Sequence, residues 1–207
     1  MATSQTRKRR TRADGERSYR KIVDTAARLA TIEGLEGLSI GRLAHEIGMS
    51  KSGLYAHFDS KEDLQLAVVS AAEGVFTAEV VAPALEVPEG LERLRTLCEA
   101  FVSYVQRGVF PGGCFFLATA AELDTRRGPI RDSVRTIIAG WTDLLETNAR
   151  EAQQRGDLAA DTDIGQLTFE LNAVLHEANG HYLLFRDPAA LDRARKAVED
   201  RLARALG

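Results

Sequence analysis

The chain has 207 residues, of which 44% are hydrophobic and 28% are charged, and its formal net charge is -3. This length allows one sizeable core or two small ones. No apolar run reaches the length of a membrane span, and the chain does not open on an apolar leader, so we expect a cytoplasmic protein without a membrane partner. Cys98 and Cys114 have neither metal-ligand spacing nor a secreted context, and we interpret them as small buried apolar residues rather than a redox pair.

The charge is unevenly distributed along the chain. Residues 1–21 hold eight Lys or Arg against two acids, a local net of +6, so the remaining residues carry -9. A mildly acidic protein can still bind DNA when its positive charge is concentrated in this way. Residues 1–15 show no periodicity and predict a disordered basic tail. The run Arg7–Arg10 could act as an arm along a DNA backbone or in a minor groove; the alternative is a solubilising tail or an expression remnant.

The first periodic segment predicts a helix from Glu16 to Glu33, ended by Gly34. Its apolar residues Ile22, Ala26 and Leu29 share one face and should pack on the helices that follow. Further residues should complete the same small core: Leu35, Leu38, Ile40, Leu43, Ile47, Leu54, Phe58 and Leu64.

The segment Ser39–Phe58 predicts two short helices joined by a tight turn. Ser39 is placed to cap the first helix, Gly48 can end it in the left-handed conformation, and Ser50 can cap the second. Two short helices around a glycine-containing turn are typical of the helix-turn-helix motif, whose second helix can enter the DNA major groove. Residues 49–58 contain no carboxylate. Their polar groups suit phosphates and base edges, which favours DNA binding over an ordinary helical hairpin.

The remainder of the chain reads as helices. A capping-box pattern at residues 60–63 opens a fourth helix that should end near Pro83. Glycine and proline breaks then separate five more helices, with starts near residues 91, 114, 129, 164 and 189. No segment alternates with period two for long enough to form a strand, so we predict an all-α fold of about nine helices.

These motifs resemble those of the tetracycline-repressor-like (TetR) transcriptional regulators. The matching residues are Leu38-Ser39-Ile40, Leu43-Ala44, Ile47-Gly48-Met49-Ser50, Leu54-Tyr55-Ala56-His57-Phe58 and Ser60-Lys61-Glu62-Asp63-Leu64. The match is specific from Ile22 to Leu66, and beyond that range only the layout is similar. The resemblance implies an N-terminal three-helix head at residues 16–62 after the tail at 1–15, and a ligand-binding and dimerisation domain at residues 63–207.

We predict a set of DNA-binding residues in the head. Lys51, Ser52 and Gly53 lie at the start of the second motif helix, the end that meets base edges, and Arg42 is exposed on the first. Ser39 and Ser50 place hydroxyls at helix N-termini, where backbone N–H groups attract anions. The resemblance adds three phosphate-contacting positions: Tyr55, His57 and Lys61.

The resemblance also implies the partners: a palindromic DNA operator, a second copy of the chain bound through the last two helices, and a small-molecule effector. It further implies that the fourth helix links head and body, so that its tilt sets the spacing of the two heads. Repression is the expected outcome. A small-molecule site should lie between the fifth to eighth helices, where the alternative is a filled core. The candidate ligand-binding residues are Phe101, Tyr104, Phe115, Phe116, Trp141, Leu145, Asn172 and His176, with Asn172 and His176 as polar handles.

One segment imitates an enzyme motif. His176-Glu177-Ala178-Asn179-Gly180-His181 looks like the zinc-protease pattern His-Glu-x-x-His, but its histidines are five residues apart. Five residues turn a helix by about 500°, which separates the two rings by about 140° and prevents both from holding one metal. We therefore predict no enzyme, no metal and no cofactor. Two alternatives stay open: a constitutive DNA-binding protein without an effector, and a metal-dependent enzyme using His176, Glu177 and His181.

Overall fold

The computed structural model describes residues 2–207, and the side chains from Asp14 onward. Over this range the chain forms nine helices and a single isolated antiparallel bridge between Leu158 and Leu206. The helices are α1 (Ala2–Glu33), α2 (Ile40–Ile47), α3 (Lys51–Tyr55), α4 (Lys61–Leu85), α5 (Leu91–Gln106), α6 (Phe115–Leu123), α7 (Pro129–Arg155), α8 (Ile164–Phe185) and α9 (Ala189–Ala203). The predicted all-α fold and the order of its helices are confirmed.

The start of the first helix corrects the sequence analysis. α1 begins at Ala2 rather than at Glu16, so the basic segment predicted as a disordered tail is helical along its backbone. Ala, Gln, Arg and Lys are good helix formers, and the first proline is Pro83, so nothing in the segment breaks the helix. The predicted boundary between residues 15 and 16 therefore falls inside one helix. The side chains of Arg7–Arg10 lie outside the described residues.

The three-helix head is capped as its sequence predicts. Ser39 Oγ accepts the Arg42 N–H at 3.1 Å, and Ser50 Oγ accepts the Gly53 N–H at 3.0 Å. Gly48 has φ +70°, and its N–H donates to the last turn of α2. Since a left-handed residue here is nearly free of cost only for glycine, Gly48 sets the sharp reversal between α2 and α3. Every predicted residue of the small core is buried except Ile40, which is partly exposed.

α4 is a continuous helical rod with one irregular turn. Residues Lys61–Phe76 are α-helical, Thr77–Val81 form a π-helical turn, and Ala82–Leu85 return to α-helix. The wide turn comes just before Pro83, which has no N–H and would clash with a carbonyl four residues back in a regular helix. α4 therefore passes Pro83 and ends at Leu85. At its start, Ser60 Oγ caps Asp63 N–H, and the Asp63 carboxylate accepts the Asp59 N–H at 3.1 Å.

α4 is also a long and apolar helix. By length and composition it could cross a membrane, with a mean hydropathy of 1.5 over its most apolar window, whereas the sequence analysis found no run of that length. The apolar residues have another use, because Val68, Val69, Ala72 and Phe76 are buried against α1, α5 and α7. We assign the apolar character of α4 to packing between head and body.

Both cysteines are free thiols in the core of the body, as interpreted from the sequence. Burial raises the pKa of Cys98 to about 12, with a smaller contribution from the carboxylates of Glu199 and Glu99. Burial likewise raises the pKa of Cys114 to about 11. Both thiols therefore stay protonated at neutral pH, and they act as small apolar side chains.

The loop between α5 and α6 docks the body onto α1. The Gly112 N–H donates to Thr31 Oγ1 at 3.1 Å, and Arg28 Nη1 donates to Val109 O at 3.0 Å. The contact is so close that a Cβ atom placed on Gly112 would lie 1.8 Å from Thr31 O. Only a residue without a side chain allows this approach.

We predict that Gly112→Ala lowers stability by roughly 2–4 kcal/mol, because the added methyl must push the loop away from α1. Thermal unfolding followed by circular dichroism measures the change. Gly140→Ala is the matched control: Gly140 sits inside α7 with open space around its Cα, so the same substitution should be neutral or raise stability by about 0.5–1 kcal/mol. Equal melting temperatures for Gly112→Ala and wild type would contradict the close docking.

Candidate DNA interface and ligand cleft

The N-terminal end of α3 presents a polar surface to solvent. The hydroxyls of Ser50 and Ser52 lie 3.1 Å apart, and both residues are exposed. The Lys51 side chain lies over Gly41 of α2, where an added Cβ would come within 3.1 Å of Lys51 Cε. Gly53 leaves the backbone of the first turn accessible. This end of the helix therefore offers hydroxyls, an ammonium group and a bare backbone to one side.

The opposite side of the motif fixes this surface in place. Leu54 and Phe58 are buried, and the ring of Tyr19 from α1 stacks on Phe58 with centroids 5.4 Å apart. Tyr55 is 55% exposed, while His57 is partly buried beside Phe58. The apolar residues thus hold the helix while its polar residues face outward, which is the division of faces that the sequence predicts.

Two of the predicted DNA-binding residues also interact with other residues of the protein. Arg42 Nε lies 3.2 Å from the Glu33 carboxylate, and Lys61 Nζ donates to Glu36 O at 2.6 Å. Both residues are exposed, so each remains accessible to a phosphate while being oriented by its partner. The sequence analysis did not single out Lys21, whose Nζ donates to Ile47 O at 2.9 Å and so caps the C-terminus of α2. A lysine 26 residues away carries no sequence signal for that role.

A carboxylate from the body accepts hydrogen bonds from the turn between α1 and α2. Glu122, near the end of α6, accepts the Leu35 N–H at 2.8 Å with one oxygen and the Glu36 N–H at 2.9 Å with the other. Two adjacent N–H groups pointing at one carboxylate form a charge-assisted pair of hydrogen bonds. These two hydrogen bonds connect the head directly to α6, and they were not predicted from the sequence.

Side chains of α4 and of the segment after α6 hold the other groups of the same turn. Gln65, which is buried, donates to Leu35 O at 3.0 Å, and Lys61 donates to the next carbonyl along, that of Glu36. The Glu36 carboxylate in turn lies 3.2 Å from Arg126. The turn is therefore fixed to both α4 and α6, the two elements that join the head to the body.

The candidate ligand-binding residues divide into a packed cluster and an open cleft. Tyr104, Phe115 and Leu145 are fully buried core residues. The hydroxyl of Tyr104 has no hydrogen-bond partner among the residues whose side chains are described, and burial raises the pKa of Tyr104 far above the ordinary value. Phe101 and Phe116 border a chamber of about 30 Å³ within the cluster, which Trp141 and His176 close on the side of the cleft.

The open cleft lies between α7 and α8 and has a volume of about 500 Å³. Trp141 and His176 line both the cleft and the inner chamber, and Trp141 Nε1 donates to Asn172 Oδ1 at 2.8 Å. Partial burial lowers the pKa of His176, so its imidazole is neutral at pH 7. The remaining lining of the cleft was not singled out from the sequence: Ile138, Thr142, Glu146, Gly165, Thr168, Phe169 and Ala173.

Phe76 of α4 is the centre of the aromatic cluster, and it was not among the candidate residues predicted from the sequence. Its ring meets those of Phe101, Tyr104, Phe116 and Trp141 edge to face, with centroids 5.4–6.4 Å apart. A single helix carries this ring from the head into the body. Sequence spacing identifies it as a core residue, but not which rings it meets.

The zinc-like segment does not gather metal ligands. His181 Nδ1 lies 3.6 Å from the Glu177 carboxylate, and its ring packs on Phe185, while His176 lines the cleft. Across the residues whose side chains are described, no group of three His, Cys, Asp or Glu is placed to hold a metal ion.

An exposed helix-turn-helix on a helical body defines a DNA-binding transcriptional regulator, and comparison with known proteins identifies the family. Residues 22–68 match the family described as bacterial regulatory proteins, tetR family, and residues 90–198 match the tetracyclin repressor-like C-terminal domain. The chain belongs to the TetR family of transcriptional regulators. Members of this family are regulators and not enzymes.

Curated relatives match this chain either at low sequence identity or over a short segment. The fatty acid metabolism regulator protein of Bacillus subtilis (strain 168) is 21% identical over 148 residues, which cover 70% of this chain and 73% of that protein. An HTH-type transcriptional regulator of Staphylococcus aureus (strain USA300) is 38% identical over 53 residues, 26% of this chain and 29% of that protein. The chain therefore matches less than a third of the length of the Staphylococcus protein.

Solved structures share the whole fold. A TetR transcriptional regulator from Chloroflexus aurantiacus J-10-FL superposes with a TM-score of 0.87 at 24% identity, covering 94% of this chain and 98% of that chain. A regulator from Saccharomonospora viridis in complex with choline has a TM-score of 0.79 at 22% identity over 92% and 98% of the two chains. AibR in complex with isovaleryl coenzyme A and operator DNA has a TM-score of 0.71 at 24% identity over 91% and 97%.

We predict that Glu122→Gln loosens the turn between α1 and α2. The amide keeps one acceptor oxygen but turns an NH₂ group toward an N–H donor, so one hydrogen bond of the pair is lost. Hydrogen exchange at the Leu35 and Glu36 amides should become roughly tenfold faster or more. Glu73→Gln, an exposed change on α4, should leave both amides unchanged. Unaltered hydrogen exchange at these amides in Glu122→Gln would show that the hydrogen bonds to Glu122 do not stabilise the turn.

Proposed function

We propose that the protein is a ligand-responsive repressor that binds a palindromic operator as a homodimer. The observation that carries this proposal is the outward polar face of α3, which contains hydroxyls, an ammonium group and an exposed tyrosine but no carboxylate. That surface has Arg42 and Lys61 at its edges and is supplied by seven further residues: Ser39, Ser50, Lys51, Ser52, Gly53, Tyr55 and His57. The basic excess in residues 1–21 adds an attractive field for phosphates.

The last two helices support the assignment of a second copy as partner. Leu184 and Phe185 at the end of α8 are 75% and 63% exposed, and a groove of about 510 Å³ runs between α8 and α9. The groove is lined largely by alanines, which allow two helices to approach closely: Ala173, Ala178, Ala190, Ala194 and Ala197. A two-fold dimer would bury this surface and present two recognition helices to two half-sites.

The proposed response to ligand is a shift between two body conformations. A ligand that binds one conformation more tightly favours that conformation by the difference in the two affinities. Because α4 carries Phe76 into the aromatic cluster and Lys61 and Gln65 to the turn of the head, a tilt of α4 would change the separation of the two heads. Loss of the matching spacing would release the operator, and the repressed genes would then be transcribed.

We predict distinct effects for two groups of substitutions in the head. Lys51→Ala should weaken operator binding and relax sequence preference by about 1–3 kcal/mol, since Lys51 lies where base edges are read. Tyr55→Phe and Lys61→Ala should weaken binding to all sequences alike, and the loss of the Lys61 charge should also flatten the dependence on salt. Fluorescence anisotropy with a selected duplex and a scrambled one, at several salt concentrations, separates the two patterns. Unchanged binding in all three variants would remove the assigned interface.

We predict that Leu184→Glu converts the dimer to monomers, because it replaces an exposed apolar side chain of the proposed interface with a charge. Light scattering at micromolar concentration should give twice the mass of one chain for wild type and the mass of one chain for the variant. Leu85→Glu is the matched control. Leu85 is 50% exposed and lies at the end of α4, outside α8 and α9. The substitution should therefore leave the dimer intact. A monomeric wild type would overturn the proposed assembly.

A constitutive DNA-binding protein without an effector is the second candidate. The packed aromatic cluster is the observation in its favour, because Tyr104, Phe115 and Leu145 fill much of the space that a ligand would need. The open cleft between α7 and α8 favours an effector instead. Thermal shift against a panel of metabolites distinguishes the two, since a constitutive binder gives no stabilisation with any of them.

A further inference from the structure

The cleft between α7 and α8 has a one-sided charge distribution. Among the described residues that line it there is one carboxylate, Glu146, and neither Lys nor Arg. The Glu146 side chain is 24% exposed, and its partner Arg150, one turn along α7, is 54% exposed and does not line the cleft. His176, facing from α8, is neutral at pH 7. The wall therefore bears a partly buried negative charge, and its ion-pair partner among the described residues, Arg150, lies on the outer surface.

The same cleft presents two aromatic side chains, Trp141 and Phe169. The indole is held rigidly: its N–H donates to Asn172 Oδ1 at 2.8 Å, and Phe76 packs edge to face on it with centroids 5.4 Å apart and planes at 86°. A fixed aromatic ring is an attractive platform for a cation, because its face carries the negative part of the ring quadrupole. An aromatic platform and a nearby carboxylate favour the same sign of ligand charge.

The dimensions of the cleft suit a small organic molecule. A volume of about 500 Å³ is within the usual range for ligand sites, and the cleft adjoins the inner chamber of about 30 Å³ across Trp141 and His176. The chamber has room for roughly one or two groups the size of a water molecule, and apolar side chains form most of its wall. A molecule in the cleft could place a short apolar end there.

We propose that the effector site takes an organic cation with an apolar body, of the alkyl- or quaternary-ammonium class. The cationic group lies against Trp141 and Phe169 and is attracted by Glu146. An anionic ligand is disfavoured, because it would meet the partly buried Glu146 carboxylate, and neither Lys nor Arg is among the described residues that line the cleft. This inference rests on the proposed ligand response and specifies the chemistry of its ligand.

The test uses the full-length protein and its single tryptophan, which is Trp141 itself. Phenyltrimethylammonium, its neutral isostere tert-butylbenzene and the anion benzenesulfonate are titrated while the indole emission is recorded with excitation at the red edge of its absorption. The cation should give a saturable change with a dissociation constant at least about tenfold below that of the neutral isostere, which corresponds to roughly 1.4 kcal/mol. Benzenesulfonate should give no saturable change.

Three variants of α7 separate charge recognition from packing. Glu146→Gln should weaken the cation roughly tenfold and leave the neutral isostere unaffected. Arg150→Gln removes the competing cation and should tighten the organic cation about two- to fivefold, a change of opposite sign. Glu151→Gln is the matched control, since Glu151 makes the same type of pair with Arg155 on the same helix and does not line the cleft. It should change neither affinity.

Three results would overturn the inference: equal affinity for the cation and its isostere, unchanged cation affinity in Glu146→Gln, or no saturable signal up to roughly 10 mM cation, the range of very weak binding. Binding to duplex DNA at low salt is measured on the same preparation. If DNA binding is intact while the cation fails, the ligand class is wrong and the regulator stands. If DNA binding is absent, the proposed function itself fails.

Discussion

The structure depends on how a small head is held to a larger body at the turn between α1 and α2. The head has a modest core and no disulfide, so its orientation must come from its neighbours. The turn supplies two N–H groups to the carboxylate of Glu122 and two carbonyls to Gln65 and Lys61. Losing these hydrogen bonds would return the backbone groups to water and remove the contacts that orient the turn.

This arrangement places α6 beside α4 in the connection between the cleft proposed for a ligand and the face of α3 proposed to bind DNA. Just before α6, Gly112 packs on Thr31 of α1; at its far end, Glu122 holds the turn of the head. Between them, Phe116 and Leu117 border the inner aromatic chamber. A displacement of α6 must therefore move the turn or break its hydrogen bonds. From the sequence, this connection was predicted for the fourth helix alone.

Local signals were sufficient to predict the helices and the head. Ser39, Gly48 and Ser50 act through hydrogen bonds and backbone angles within four residues, so their roles follow from spacing. The start of α1 was mispredicted, because the absence of apolar periodicity says nothing about helix propensity in a basic segment. The predicted end of α4, near Pro83, also fell slightly too early. A π-helical turn lets the helix continue past Pro83 to Leu85.

The site in the body was predicted only in part, for a physical reason. Trp141, Asn172 and His176 were singled out as polar or aromatic residues on apolar helices, and the structure places all three at the cleft. Glu146, Phe169 and Phe76 were missed, because a partly buried carboxylate, an exposed aromatic residue and a core aromatic residue all look ordinary in sequence. Their relation to the cleft depends on how α7 and α8 cross. Long-range contacts such as Glu122 to Leu35 are invisible to periodicity for the same reason.

The central claim is that the fold exists to place two copies of the α3 face on DNA at a fixed separation. The most direct measurement is selection of bound duplexes from random-sequence DNA by the purified full-length protein, followed by sequencing. The account predicts an enriched inverted repeat whose half-sites are centred about one helical turn apart, or a multiple of that distance. Enrichment of a single unpaired half-site, or no enrichment at low ionic strength, would contradict it.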